Sequence, residues 1–281
     1  MKIAIGSGKG GTGKTTLSVG LALALTDKDI SVHLIDCDVE EPNAHLFLKV
    51  TNENSRSVDV FVPDIDTNLC TLCGECAKFC QFKALAAIPN SKILIFKEMC
   101  HGCGGCEIVC PEKAIKEVFR EVGVIKTSQS KNLDFTYGIL NIGEAMATPV
   151  IRALKEIVNP TKTTIFDAPP GTACSFVETV IDSDYCILVT EPTPFGLFDL
   201  KIAVEVVKKI NIPFGVVINR SNIGNKSVTG FCENNAIPIL MQIPYDKNVA
   251  IAYSKGIPIT DVDKKYGSQL LDMFKTLKAS I

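Results

Sequence analysis

The chain has no run of about 18 apolar residues, the length a helix needs to cross a bilayer, so no membrane span is expected. It has no strong charge of either sign. Lys and Arg total 29 against 31 Asp and Glu, a net charge of -2, so neither nucleic acid nor an anionic membrane is an expected partner. It shows no targeting signature at its start. MKIAIGSGKGG passes from a short strand straight into a glycine-rich loop, without a charged leader and apolar core, and a cytoplasmic location is expected. It also lacks the context in which its 12 cysteines would form disulfides. Disulfide-dense chains are small and secreted, whereas 281 residues can bury a large core in one or two domains. With 46% hydrophobic and 21% charged residues, the composition is that of an ordinary globular protein.

Eight of the cysteines form one pattern twice, thirty residues apart: Cys70, Cys73, Cys76, Cys80 and Cys100, Cys103, Cys106, Cys110. Each run reads C-x2-C-x2-C-x3-C. The spacing resembles that of bacterial-type ferredoxins, which hold two [4Fe–4S] clusters. Thiolates held by iron suit a reducing cytoplasm. Zinc ribbons also use C-x2-C pairs, but the triple run with a fourth cysteine favours iron. In such ferredoxins the fourth cysteine of each run ligates the other cluster. The resemblance therefore implies one cluster on Cys70, Cys73, Cys76 and Cys110, and another on Cys100, Cys103, Cys106 and Cys80. Pro111 matches the usual C-P ending, whereas Gln81 departs from it and weakens the expected turn after Cys80. His101 is expected as a surface residue or a tuner of potential.

Elsewhere, short and nearly continuous apolar runs alternate with helical stretches. Ile3–Ile5, Val32–Ile35, Thr163–Phe166, Tyr185–Thr190, Phe214–Ile218 and Ile237–Ile243 read as parallel strands covered on both faces. Leu197–Ile210 and Glu144–Val158 read as helices. The expected fold is α/β, a doubly wound and mostly parallel sheet, with functional groups at the carboxyl ends of its strands. Residues 62–120 break this rhythm with an internal repeat: Cys80 to Leu85 matches Cys110 to Ile115, and strand-like Ile93–Phe96 and Val118–Ile125 follow. The expected organisation is the first part of the α/β domain at 1–61, an inserted α+β ferredoxin-like domain at 62–120, and the second part of the α/β domain at 121–281. Lys264–Ile281 reads as an amphipathic helix with Leu270, Leu271, Phe274 and Leu277 on one face. It is expected to dock on the sheet, with a membrane-surface role as the alternative.

Gly8 to Thr15 satisfies G-x-x-x-x-G-K-[ST] between a strand and a helix, the context of a P-loop. Backbone N–H groups of Gly8, Gly10, Gly11, Thr12 and Gly13 and the helix start can surround a polyphosphate. Lys14 is expected at the β/γ-phosphates, the Thr15 hydroxyl on Mg2+ and the Thr16 hydroxyl near the α-phosphate. Lys9 to Thr16 resembles the deviant Walker A motif of the MinD/ParA/Mrp ATPases at every defined position. Asp36-x-Asp38 looks like that family's switch I, Asp167 to Gly171 like its switch II, and Asn219-Arg220 like its adenine-recognition motif. One subgroup carries a ferredoxin insert at this position.

The resemblance implies a P-loop ATPase using ATP and Mg2+. Lys9 would cross a nucleotide-sandwich dimer to the partner's phosphates, the alternative being a solvated loop lysine. Asp38 would polarise the attacking water, and Asp36 and Asp167 would hold Mg2+ or its waters. The dimer would pair like chains or this chain with a paralogue. Of the other cysteines, Cys186 and Cys232 read as core and Cys37 lies between the switch I aspartates. Cys174, seven residues after Asp167, reads either as a plain small residue or as a transient ligand, by likeness to the nitrogenase iron protein. The function expected is nucleotide-dependent dimerisation coupled to two [4Fe–4S] clusters, serving metallocluster delivery or ATP-gated electron transfer to a metalloprotein client or redox partner. A MinD-like spatial regulator is the competing class.

Overall fold

Apolar runs of about five residues, rich in β-branched side chains and closed by Gly, Asp or Asn, are too short for buried helices and become strands. The computed structural model describes residues 1–48, 53–130 and 132–280. Its strands are β1 (Lys2–Gly6), β2 (Val32–Asp36), β3 (Asn54–Ile65), β4 (Leu85–Ile88), β5 (Lys92–Ile95), β6 (Ile115–Ser130), β7 (Leu133–Leu140), β8 (Thr163–Asp167), β9 (Tyr185–Thr190), β10 (Phe214–Asn219) and β11 (Ile239–Ile243). One sheet has the order β11-β10-β9-β1-β8-β2-β7-β6-β3, and β4 pairs with β5 apart from it. From β11 to β7 every pairing is parallel, while β6 and β3 are antiparallel additions at one edge.

Alternate residues of the central strands serve two cores. Ile3 and Ile5 pack with Leu17, Leu21 and Leu25 of the helix Lys14–Thr26 and with Tyr266, Leu270, Phe274 and Leu277 of the helix Lys264–Ser280. Ala4, Ile35 and Phe166 face the other way, onto Ile151, Phe176, Leu200 and Val204. The apolar face foreseen on the last helix is thus consumed by the core, although its final residue, Ile281, lies outside the described residues. No helix among the described residues is long and apolar enough to cross a membrane.

Two helices differ from expectation. The stretch Glu144–Val158 is helical only over Thr148–Glu156. Gly143 takes φ +88°, and the Glu144 amide donates to the Asn141 carbonyl at 3.1 Å, so the chain turns before the helix begins. Leu197–Ile210 starts earlier, at Pro194, because the Thr193 hydroxyl accepts from the Gly196 amide and caps it.

The edges foreseen at 62 and 120 fall inside β3 and β6, which pair from Asn54↔Thr127 to Ile65↔Ile115 with one shift of register between Val58 and Asp59. At the carboxyl end of β7, Leu140 lies opposite Gly123. Beyond that point the β3–β6 ribbon projects past the same sheet edge at which β1 and β2 end. At about 3.3 Å per residue, the step from Gly123 to Glu117 is about 20 Å. Residues 66–114 are carried at its tip.

The backbone at that tip repeats itself. Left-handed residues recur at the thirty-residue offset: Leu72 and Gly102 (φ 59° and 62°), Gly74 and Gly104 (77° and 69°), Lys83 and Lys113 (55° and 50°). A short helix follows each glycine of the second pair, Glu75–Phe79 and Gly105–Ile108. One run joins β3 to β4 and the other joins β5 to β6, which relates the two halves by an approximate twofold.

Candidate functional site

The loop after β1 meets the helix Lys14–Thr26 at Gly13, whose φ of 101° is open only to glycine at low cost. A Cβ there would also stand 2.4 Å from Asn219 Nδ2. That amide is spent on the loop, since Asn219 Nδ2 donates to the Thr12 carbonyl at 2.8 Å. The loop is held from two further sides. Gly171 N donates to the Ser7 carbonyl at 3.1 Å, and a Cβ on Gly8 would meet the Asp199 carbonyl. Segments foreseen as separate motifs, Asp167 to Gly171 and Asn219-Arg220, therefore converge on one loop.

Three aspartates lie within electrostatic reach of Lys14. Its side chain is buried, which pulls its pKa down, against the charges of Asp167, Asp38 and Asp36. Asp36 is fully buried and accepts three amides at 3.0 Å each: Asp38 on one oxygen, Asn43 and Ala44 on the other. Asp167 accepts from the Ser18 hydroxyl at 3.0 Å on Oδ1, while its buried Oδ2 has no hydrogen-bond partner. Burial pushes the carboxyls of both Asp36 and Asp167 up, with Asp167 adding to the rise at Asp36. Asp38, less buried, is pushed up to about 6 by burial, and Lys14 opposes that shift. An unpartnered buried carboxylate oxygen is costly, and a divalent cation at this cluster would return the carboxylates to their charged form.

Lys9 does not join this group. Its Nζ lies 3.3 Å from Glu191 Oε2, and Arg220 Nη1 lies 2.6 Å from the other oxygen of the same buried carboxylate. Sequence reasoning missed Glu191 as a partner of either cation, because only the fold brings the end of β9 beside the loop. Gly11, Gly13, Thr16, Asn219 and Arg220 open onto a cavity of about 300 Å3 that Pro244, Tyr245, Asp246 and Tyr253 complete. Those four were also missed. The Pro-Tyr-Asp run directly after β11, at the carboxyl edge of the sheet, is the signal that marks them.

The eight patterned cysteines divide between two hollows. One is bounded by Cys70, Cys73, Cys76 and Cys110, with Ile65, Ile93 and Ile115. The other is bounded by Cys80, Cys100, Cys103 and Cys106, with Phe61, Phe79, Phe82 and His101. Each hollow thus takes three thiols from one run and the fourth from the other. Amides are aimed at sulfur: Ala114 N donates to Cys110 Sγ at 3.3 Å and Gly102 N to Cys100 Sγ at 3.5 Å. Burial raises the thiols of Cys76, Cys100 and Cys106, the last to about 11. Bound iron would deprotonate them outright.

Among the described residues, no group of three or more His, Cys, Asp or Glu side chains is arranged to hold a single metal ion. The turn after Cys80 forms despite Gln81: Lys83 N donates to the Cys80 carbonyl at 3.3 Å, as Lys113 N does to Cys110 at 3.2 Å. His101 is stacked on Phe82, with ring centroids 3.7 Å apart. Cys37, Cys186 and Cys232 are fully buried, and Cys174 is exposed at the start of the helix Cys174–Val180.

The parallel sheet and its phosphate loop define a P-loop ATPase. A match to the family described as CobQ/CobB/MinD/ParA nucleotide binding domain runs over residues 3–259. An uncharacterised protein of Methanocaldococcus jannaschii is 32% identical, over 91% of this chain and 90% of its own. The iron-sulfur cluster carrier protein of Pyrococcus abyssi is 27% identical, over 92% of this chain and 78% of its own. MinD of Pyrococcus horikoshii, solved as a complex with Mg-ADP, shares the fold with a TM-score of 0.59 at 19% identity, covering 98% of this chain and 95% of that one. The chain belongs to the CobQ/CobB/MinD/ParA nucleotide-binding family.

Proposed function

We propose that the chain is an ATP-hydrolysing iron–sulfur protein in which nucleotide-dependent pairing of two copies, or of this chain with a paralogue, controls two resident [4Fe–4S] clusters. One observation carries the reading: the eight thiols enclose two hollows, three from one run and one from the other. In this reading residues 62–120 form a two-cluster ferredoxin-type domain. Cys70, Cys73, Cys76 and Cys110 hold one cluster, and Cys80, Cys100, Cys103 and Cys106 hold the other. The clusters supply one-electron transfer.

At the nucleotide, Gly8, Gly10, Gly11, Thr12 and Gly13 offer backbone amides to the phosphates and Lys14 supplies the cation there. Thr15 and Asp167 serve Mg2+. Asp36, whose oxygens already accept three amides, positions the loop 38–44 and reaches Mg2+ through water. Asp38 orients the attacking water. Thr16, Asn219 and Arg220 line the nucleoside cavity. Lys9 crosses to the partner's phosphates only after leaving Glu191, so the contact seen here is its resting position. Hydrolysis then depends on closure of the pair, because phosphoryl transfer needs placed cations and water more than covalent chemistry.

Ligation by both runs holds a cluster firmly and favours ATP-gated electron transfer to a metalloprotein client. Relatives named as iron-sulfur cluster carriers support delivery of a cluster as the second reading. A MinD-like membrane cycle is disfavoured, because the apolar face of the last helix is buried in the core. The test is anaerobic reconstitution, with about eight irons per chain expected from two clusters. Tight zinc and negligible iron would overturn the reading. Loss of iron from the loaded protein to an apo-acceptor would decide for delivery.

A further inference from the structure

The guanidinium of Arg120 is mostly buried and joins the cysteine-bearing tip to the ATPase body. Both of its terminal nitrogens meet the Glu144 carboxylate, Nη1 at Oε1 and Nη2 at Oε2 (2.9 Å for the second), and the two side chains are 17% and 9% exposed. Nη2 also donates to the Lys97 carbonyl at 3.3 Å. That carbonyl accepts the Cys100 amide at 3.1 Å as well, so one oxygen links Arg120 to the backbone of a cysteine in the hollow nearer the sheet.

Glu144 lies at the other end of a short connected path. It sits in the turn after β7, with its amide on the Asn141 carbonyl, and Asn141 is fastened to β6 through the Val122 carbonyl at 2.9 Å. Leu140, the last residue of β7, donates its amide to the Val39 carbonyl at 2.8 Å. Val39 is the residue after Asp38. From the aspartate beside Lys14 to the carbonyl that Cys100 shares, the links are one peptide bond, one amide hydrogen bond, one turn, one ion pair and the hydrogen bond from Arg120 to Lys97.

We propose that Arg120 and Glu144 are positioning residues through which the nucleotide site sets the reduction potential of the cluster on Cys80, Cys100, Cys103 and Cys106. The inference rests on the two-cluster reading given above. A positive charge near a cluster favours its reduced, more negative state, and Glu144 compensates that charge. Arg120 is anchored to the tip through Lys97, whereas Glu144 belongs to the turn that adjoins the strand end beside Asp38. Movement of that end on nucleotide binding alters the pair and with it the compensation. The cluster on Cys70, Cys73, Cys76 and Cys110 lies farther out on the ribbon, beside Ile65 and Ile115, and is much less affected.

The test is redox titration of the anaerobic holoprotein, followed by electron paramagnetic resonance with and without MgATP, for the wild type, Glu144→Gln, Arg120→Gln and Arg120→Lys. Expected first is a MgATP-dependent shift of one of the two midpoint potentials in the wild type. Without nucleotide, Glu144→Gln moves that same potential positive and Arg120→Gln moves it negative, with the other cluster nearly fixed. Arg120→Lys keeps the charge but loses the two-pronged pair, so its resting potential stays near wild type while the MgATP shift is lost. Iron content and MgATP binding, measured in parallel, remain at wild-type levels in all three variants. Fully loaded Glu144→Gln and Arg120→Gln proteins with wild-type potentials and an intact MgATP shift would overturn the inference. Absence of iron from the wild type would instead sink the cluster reading beneath it.

Discussion

Glu191→Gln isolates the step that frees Lys9. The change keeps shape and removes the charge that holds Lys9 Nζ at 3.3 Å and Arg220 Nη1 at 2.6 Å. The gross attraction at 3.3 Å is about 5 kcal/mol at an effective dielectric near 20. Desolvation and lost side-chain freedom offset most of it. Because the Lys9 side chain is 32% exposed, the scale is that of exposed ion pairs, at most about 1 kcal/mol. Releasing one lysine then favours closure by a factor of about 5, and releasing one from each of two chains by about 30. Sedimentation equilibrium of the variant with MgATP should show self-association tighter by roughly that factor, with nucleotide affinity measured separately because Arg220 is released too. Association unchanged or weaker than wild type, at equal nucleotide occupancy, would refute the resting contact as the brake on closure.

Other outcomes follow from the same geometry. Lys9→Ala retains ATP binding but loses ATP-stimulated pairing and most turnover, and full turnover at saturating MgATP would exclude the crossing role. Cys110→Ser lowers iron from about eight to about four per chain, and the signal that remains belongs to the cluster on Cys80, Cys100, Cys103 and Cys106. Retention of the other signal instead would mean that each run holds its own cluster. Gly13→Ala combines a positive-φ strain with a Cβ 2.4 Å from Asn219 Nδ2, so nucleotide affinity falls at least tenfold by calorimetry. His33 is buried, with its pKa lowered to about 4 by burial, so the unfolded chain takes up a proton that the folded chain refuses. Its contribution costs nothing above pH 6.5 and grows to about 3 kcal/mol as pH falls towards 4. His33→Gln should flatten the fall in thermal midpoint between those pH values, and a variant profile parallel to wild type would contradict this.

The central sheet was legible because its parallel strands are buried on both faces and read as continuous apolar runs. The edge was not. β3 was passed over and only the middle of β6 was foreseen; β7, which is inside the edge and parallel to β2, was passed over too, because Asp134 and Thr136 interrupt its apolar run. Val58, Val60 and Val62 alternate with the exposed Asp59 and Phe61, the period of a ribbon with two unlike faces, which a search for continuous runs overlooks. Gly8 and Lys14 were legible as phosphate-site candidates because a phosphate loop is local in sequence, whereas Asp38 and Asp167 lie far from it along the chain and were singled out by the family resemblance. The Lys9–Glu191 and Arg120–Glu144 pairs were not, since their members lie 182 and 24 residues apart and meet only through the fold. The turn after Cys80 forms with Gln81 in the place that Pro111 takes after Cys110, and both turns carry a left-handed lysine, Lys83 and Lys113, so proline is not required there.

The central claim is that nucleotide and clusters are coupled in one chain. Redox titration of anaerobically loaded wild-type protein, with and without MgATP, tests it most directly. The account predicts two cluster signals, one of which changes its midpoint potential when MgATP binds. Two fully loaded clusters whose potentials and spectra are identical at zero and saturating MgATP would contradict it.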